Sequence, residues 1–176
     1  KLPQIIPHFY EQTTNYRLTA SVQWRLWFKP FAFIYQGISR WMQQLNLPLS
    51  SRPVDMNGVI VKVDERQDGR LAPRAWIRKI NEQTIFVAIY SQHTTNQTTY
   101  MNIALPLPFS TMIGILYVYE QDGKLHITSS KTGEAGIYLA FKQNILRLPL
   151  NEHFTITAKN DTTLTAIHTM RIFGLS

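Results

Sequence analysis

The stretch Thr84-Ile85-Phe86-Val87-Ala88-Ile89-Tyr90 decides how this chain folds, together with its later counterpart Thr111-Met112-Ile113-Gly114-Ile115-Leu116-Tyr117-Val118-Tyr119. Successive side chains of an extended strand point to opposite faces. Ile85, Val87 and Ile89 then share one face while Phe86, Ala88 and Tyr90 share the other, and the second stretch is likewise apolar on both sides. A sheet with one face in water alternates apolar and polar residues. Each large side chain left in water forfeits about 1.5–3 kcal/mol of burial energy. Both faces must therefore be covered. The helix around Phe31 to Leu45 is expected over one, and the inside of a curled half-barrel, or a subunit interface, over the other.

Working outward, most of the remaining sequence also reads as strand. Gly58 to Asp64 runs into Gln67-Asp68-Gly69, a hairpin signal, and Arg74 to Ile80 runs into the Asn81-Glu82 turn. Thr84 to Tyr90 and Thr98 to Leu105 flank a polar loop, and Asp122-Gly123 turns the chain from Thr111–Tyr119 into Lys124–Ser129. Ile137–Phe141, Ile145–Leu148, Phe154–Lys159 and Thr162–Phe173 follow, the last two joined through Asn160-Asp161. Before all of these, Tyr16 to Leu26 alternates with period two.

Two segments read as helix. Leu2 to Glu11 places Ile5, Ile6 and Phe9 on one face, although Pro7 interrupts it. The main helix is expected near residues 30 to 45. Pro30 suits its first turn, and Phe31, Ile34, Ile38, Trp41, Met42 and Leu45 recur at spacings of three and four. The expected fold is α+β and mainly antiparallel β: a curled sheet or incomplete barrel, lipocalin-like or helix-grip-like, with one main helix. A length of 176 residues suits one domain over 1–176. Whether that domain is a fragment of a longer protein is left open.

The chain carries a net charge of +7, a pI near 9.8 and no cysteine. Disulfides, thiolate metal sites and a cysteine nucleophile are thereby excluded. The five histidines stand too far apart for metal-ligand spacing, so neither a metal site nor a cofactor is expected. Lys131-Thr132-Gly133 lacks the Ser-x-x-Lys partner that would make it catalytic, and no Gly-x-Ser-x-Gly occurs. The longest clean apolar run, Met112 to Tyr119, is too short to span a bilayer as a helix. The expected location is the cytoplasm, with membrane association as the open alternative.

Charge is segregated along the chain. No acidic residue lies between Glu11 and Asp55, whereas three of the four tryptophans do. Within that window Arg25, Trp27, Phe28, Lys29 and Arg40 form a basic, aromatic corner between strand and helix. They are the candidate binding residues: the cations can hold lipid phosphates while Trp27 and Phe28 sit at an interface. Stacking on single-stranded nucleic acid is the weaker reading, and simple packing of the aromatic residues competes with both.

Leu2, Pro3 and Phe9 lead into Tyr16-Arg17-Leu18-Thr19. Leu125-His126-Ile127, Leu146-Arg147-Leu148-Pro149-Leu150 and a closing hairpin from Phe154 to Gly174 follow. In these pieces the chain resembles an uncharacterised bacterial domain family, the domain of unknown function numbered 4166. The resemblance implies a shared fold and carries no catalytic motif. Together these readings favour a non-enzymatic domain that holds an apolar or amphipathic small molecule between sheet and helix. The alternatives are a structural module that homodimerises through the second apolar face, and an enzyme whose residues meet only in space.

Overall fold

The computed structural model describes residues 1–21, 53–131 and 133–172. The expected main helix near residues 30 to 45, and the strand residues beyond Ser21, lie outside them.

The described residues form an antiparallel sheet of eleven strands. In chain order these are β1 (Leu18–Ala20), β2 (Val54–Lys62), β3 (Arg74–Ile80), β4 (Gln83–Thr95), β5 (Thr98–Leu107) and β6 (Ser110–Gln121), then β7 (Lys124–Thr128), β8 (Gly136–Phe141), β9 (Asn144–Arg147), β10 (Leu150–Ala158) and β11 (Leu164–Ile172). Neighbours follow sequence order from β1 to β7, after which β10 and β11 complete the row. The sheet forks at β6. Its second half, Tyr117–Gln121, pairs with β7, and its first half, Thr111–Ile115, pairs with β8, which carries β9.

Most turns are where their residues demand them. Asn81-Glu82, Asn96-Gln97 and Asp122-Gly123 each adopt paired positive φ angles, the backbone that matches the twist of a tight hairpin. Two connections differ from expectation. The polar stretch 91–95 is strand rather than loop, because Ser91, His93 and Thr95 keep the alternation of β4 against β5. The segment after β2 is not a tight hairpin turn but a short helix, α2 (Glu65–Asp68). Asp64 caps it by accepting the Arg66 N–H at 2.9 Å, and Gly69 ends it in the left-handed conformation.

Cross-strand partners share a face. On one face lie Trp76 and Arg78 of β3, Phe86 and Tyr90 of β4, Met101 and Ile103 of β5, Leu116 and Val118 of β6, Ile127 of β7 and Phe154 of β10. Helix α1 (Ile5–Glu11) is laid on this face. Ile5 and Ile6 join Leu116, Ile127, Ile137 and Ile156 in the central apolar cluster. Pro7 is tolerated because it is the third helical residue, where a backbone N–H has no intrahelical acceptor. Thus α1 supplies cover on one side.

This face is concave. From β3 to β11 there are six strand-to-strand steps, roughly 29 Å along a flat sheet. The sheet curls, so that Arg78 of β3 comes near enough to His168 of β11 to lower its pKa, while β2 and β1 continue the sheet beyond β3. The fold is the expected incomplete barrel.

The opposite face carries Ile85, Tyr100, Asn102, Ala104 and Thr128, all buried. Two connections cover it. Residues 129–131 and 133–135 lie across β5 and β6, with Glu134 bonded to His93 and the Lys131 ammonium 4.4 Å from the Tyr117 ring. The α2 connection places Asp68 and Arg70 at a cleft with His93 and Asn102.

Because Ile6 is fully buried between α1 and the sheet, Ile6→Ala is expected to cost about 2–5 kcal/mol of stability, measured by urea unfolding. A loss below about half a kcal/mol would mean that α1 does not dock as described.

Candidate functional site

Arg25, Trp27, Phe28, Lys29 and Arg40, the binding residues expected from sequence, all lie outside the described residues. Within those residues the structure draws together a different set, on the concave face: Tyr10, Trp76, Arg78, Tyr90, Glu152 and His168.

Arg78 is the centre of this group. Its guanidinium lies 3.8 Å from the Trp76 ring centroid and 4.8 Å from that of Phe86. A cation over aromatic faces gains about 0.5–2 kcal/mol, more as water is removed. Its Nη2 donates to the Tyr90 hydroxyl at 3.0 Å. No carboxylate of the described residues forms an ion pair with it, and its buried Nε has no acceptor. Gly58, opposite Arg78 on β2, makes room for this arrangement, since a Cβ there would collide with the Trp76 indole.

Tyr90, Tyr10 and His168 feel its charge, and Glu152 lies beside His168. Burial raises the Tyr90 phenol, while Arg78 pulls it the other way. Desolvation, then the Tyr90 phenol, raises that of Tyr10, which α1 brings over the same region. Glu152 stands on the concave side of β10, two residues before Phe154, with 12% of its side chain exposed. Burial pushes its carboxyl from 4.5 up to about 7. His168 stacks on Phe154 at a centroid distance of 3.9 Å, and desolvation, then Arg78, lowers its imidazole to about 4. Since 41% of its side chain stays open, water at the exposed edge works against that depression. The two rest 4.0 Å apart, beyond a hydrogen bond, as a neutral acid beside a neutral imidazole between about pH 4 and pH 7. Arg78 is then a fixed charge among the aromatic rings of the concave face.

The opposite face holds a second feature. A cleft of about 400 Å³ is lined by Asp68, Arg70, His93, Asn102, Ile113 and Ile115, among others. Its charges are mutually satisfied. Arg70 binds both oxygens of Asp68 at 2.6 Å and thereby lowers the Asp68 pKa, and His93 bridges Asn102 at 3.0 Å and Glu134 at 2.8 Å. No hydroxyl nucleophile bonds to His93 among the described residues, so this arrangement pins a loop instead of activating one. Further along that face His126 and His153 meet at 3.0 Å, a proximity their sequence separation hides. No group of three or more metal-ligating side chains assembles among the described residues.

Fold and site together define, over the described residues, a curled antiparallel-sheet domain with the half-buried, unpaired Arg78 on an apolar concave face. The chain is 44% identical over 180 residues to a Bacillus subtilis (strain 168) protein named "Uncharacterized membrane protein YndJ". The alignment takes in 99% of this chain and 33% of that protein, so the chain spans about a third of the relative's length. No family model matches the chain, and no solved structure matches it. Among the described residues no helix is long and apolar enough to cross a membrane.

The Glu152 carboxyl gives a pH signature. The folded protein keeps this proton up to about pH 7, whereas an unfolded chain releases it near 4.5. Its contribution to stability is therefore fully present below about pH 4.5 and lost as pH rises through 7. His168 has the opposite sign, its contribution being lost as pH falls from 6.5 through about 4. Glu152→Gln removes only the first effect. Relative to the native chain, the variant is expected to gain stability between pH 5 and pH 8, by at most about 3 kcal/mol in urea titrations. A difference that stays constant over that range would show that Glu152 is not desolvated.

Proposed function

We propose that this chain is a non-enzymatic binding domain that holds an amphipathic small molecule on its concave face, the anionic end on Arg78. The observation that carries this reading is a stacked guanidinium with a buried, unused N–H and no carboxylate partner, set among Trp76, Phe86 and Phe154. Binding sites for such molecules are concave and mostly apolar, with few polar groups to fix orientation. Arginine suits a carboxylate or phosphate because its planar fork meets two oxygens at once. Helix α1 and Tyr10 form the near wall. Glu152, neutral in acid and ionised in base, disfavours an anionic ligand as pH rises above 7.

A membrane setting is the companion proposal, supported by the name of the Bacillus subtilis relative, a membrane protein, and by the net charge of +7. In this setting Arg25, Trp27, Phe28, Lys29 and Arg40 are proposed to contact the anionic membrane surface. Kinship with the uncharacterised family numbered 4166 is likewise proposed, and the closing hairpin formed by β10 and β11 supports it. Homodimerisation has its own support, the exposed Ile167 and Met170 on edge strand β11.

Isothermal titration with dodecanoate, and with dodecanol as the uncharged control, tests the ligand reading. Saturable binding of the acid is expected, with affinity at least about tenfold weaker in Arg78→Met and largely kept in Arg78→Lys. Equal binding of acid and alcohol, or no binding of either, would overturn it.

A further inference from the structure

The fork at β6 brings two turns to one end of the sheet. Leu107 pairs with Ser110 across the β5–β6 turn, and Thr111 pairs with Ala140, the residue before Phe141 at the β8–β9 turn. Phe109 and the Phe141-Lys142 corner are thus neighbours at that end. Phe109 is 86% exposed and sits at φ 61°, a left-handed backbone that favours glycine or asparagine. An aromatic residue there is doubly unfavourable in the isolated protein: its ring is in water and its backbone is strained. Beside it, edge strand β9 shows Ile145 at 71% and Leu146 at 63% exposure, on opposite sides of the strand.

The two turns themselves hold no acidic residue: none occurs between Glu82 and Glu120, nor between Glu134 and Glu152, whereas Lys142 stands in the second turn with its ammonium 5.4 Å from the Phe141 ring. Glu82 and Asp55, which the register of β2 to β5 brings to the same end of the sheet, are paired with Lys79 and Arg17. Folding explains none of these apolar side chains, since none contributes to the buried core.

We infer that Phe109, Phe141, Ile145 and Leu146 form a shallow membrane-inserting tip, with Lys142 against the phosphates of an anionic leaflet. The inference rests on the membrane reading above but assigns the contact to residues outside the basic corner. The chemistry fits the water–lipid boundary: aromatic and aliphatic groups enter the acyl margin, and a lysine on a flexible stem stays at headgroup level. The edge of β9 also explains why a lipid surface, not a flat sheet partner, is the occupant. Its four residues are too short a template for a stable strand-added partner, and they end in charged Arg147.

Co-sedimentation with vesicles of phosphatidylglycerol and phosphatidylcholine in equal parts, against phosphatidylcholine alone, tests this with the whole chain. The native chain is expected to bind the anionic vesicles in a salt-sensitive way. Phe109→Ser and Leu146→Ser should each weaken partitioning by about tenfold, without loss of the far-ultraviolet circular dichroism of the native sheet. Lys142→Glu should weaken binding to anionic vesicles several-fold and leave neutral vesicles unaffected. Undiminished binding by all three variants would overturn the tip while leaving the membrane reading standing. No binding of the native chain to either vesicle would overturn both. A concentration-dependent dimer abolished by Phe109→Ser would assign the tip to a second copy instead.

Discussion

Everything in this domain follows from strands that are apolar on both faces. β4 and β6 cannot be satisfied by one layer of cover, because Ala88 and Leu116 are buried toward α1 while Ile85 is buried on the reverse side. The chain meets this constraint in two ways. The sheet curls, so that β3 and β11 enclose the concave face, and α1 closes part of the opening with Ile5, Ile6 and Phe9. Two long connections then fold back over the convex side, one held by the Glu134–His93 bond and the other stiffened internally by the Arg70–Asp68 pair. Neither connection is a passive link. Each supplies cover for apolar surface that would otherwise face water.

The same constraint isolates the polar cluster. A curled sheet with apolar inner walls raises the cost of every charge placed on it, and the groups there respond as physics requires. Glu152 retains its proton, His168 loses its own, and both tyrosines resist ionisation. Arginine alone stays charged under such conditions. Leaving Arg78 without a counter-ion is expensive for stability, and the aromatic faces of Trp76 and Phe86 offset part of that cost.

Much of the architecture was legible in the sequence because it is local. Asn81-Glu82 and Asp122-Gly123 announce their turns, Arg74–Ile80 is bounded where its alternation ends, and Ile5, Ile6 and Phe9 mark a buried helical stripe despite Pro7. Tertiary pairing hid the rest. Ser91 to Thr95 looks like loop by composition, and only its register against Thr98 to Asn102 makes it strand. The Gln67-Asp68-Gly69 turn signal masked a capped helical turn whose start lies at Asp64. The concave cluster was visible only in fragments: Arg78 alternates with Trp76, and Glu152 with Phe154 and Ile156, so each places a charge on an apolar strand face. That signal points to single residues. It says nothing of which strands will face each other once the sheet curls.

The central claim is that curling brings Arg78 on β3 opposite His168 on β11 on one concave, largely apolar face. Following the His168 imidazole by nuclear magnetic resonance through a pH titration tests it most directly, in the native chain and in Arg78→Met. The account predicts a midpoint well below 6.5, toward about 4, that rises when the guanidinium is removed. An ordinary midpoint near 6.5 in the native chain, unchanged in Arg78→Met, would contradict it.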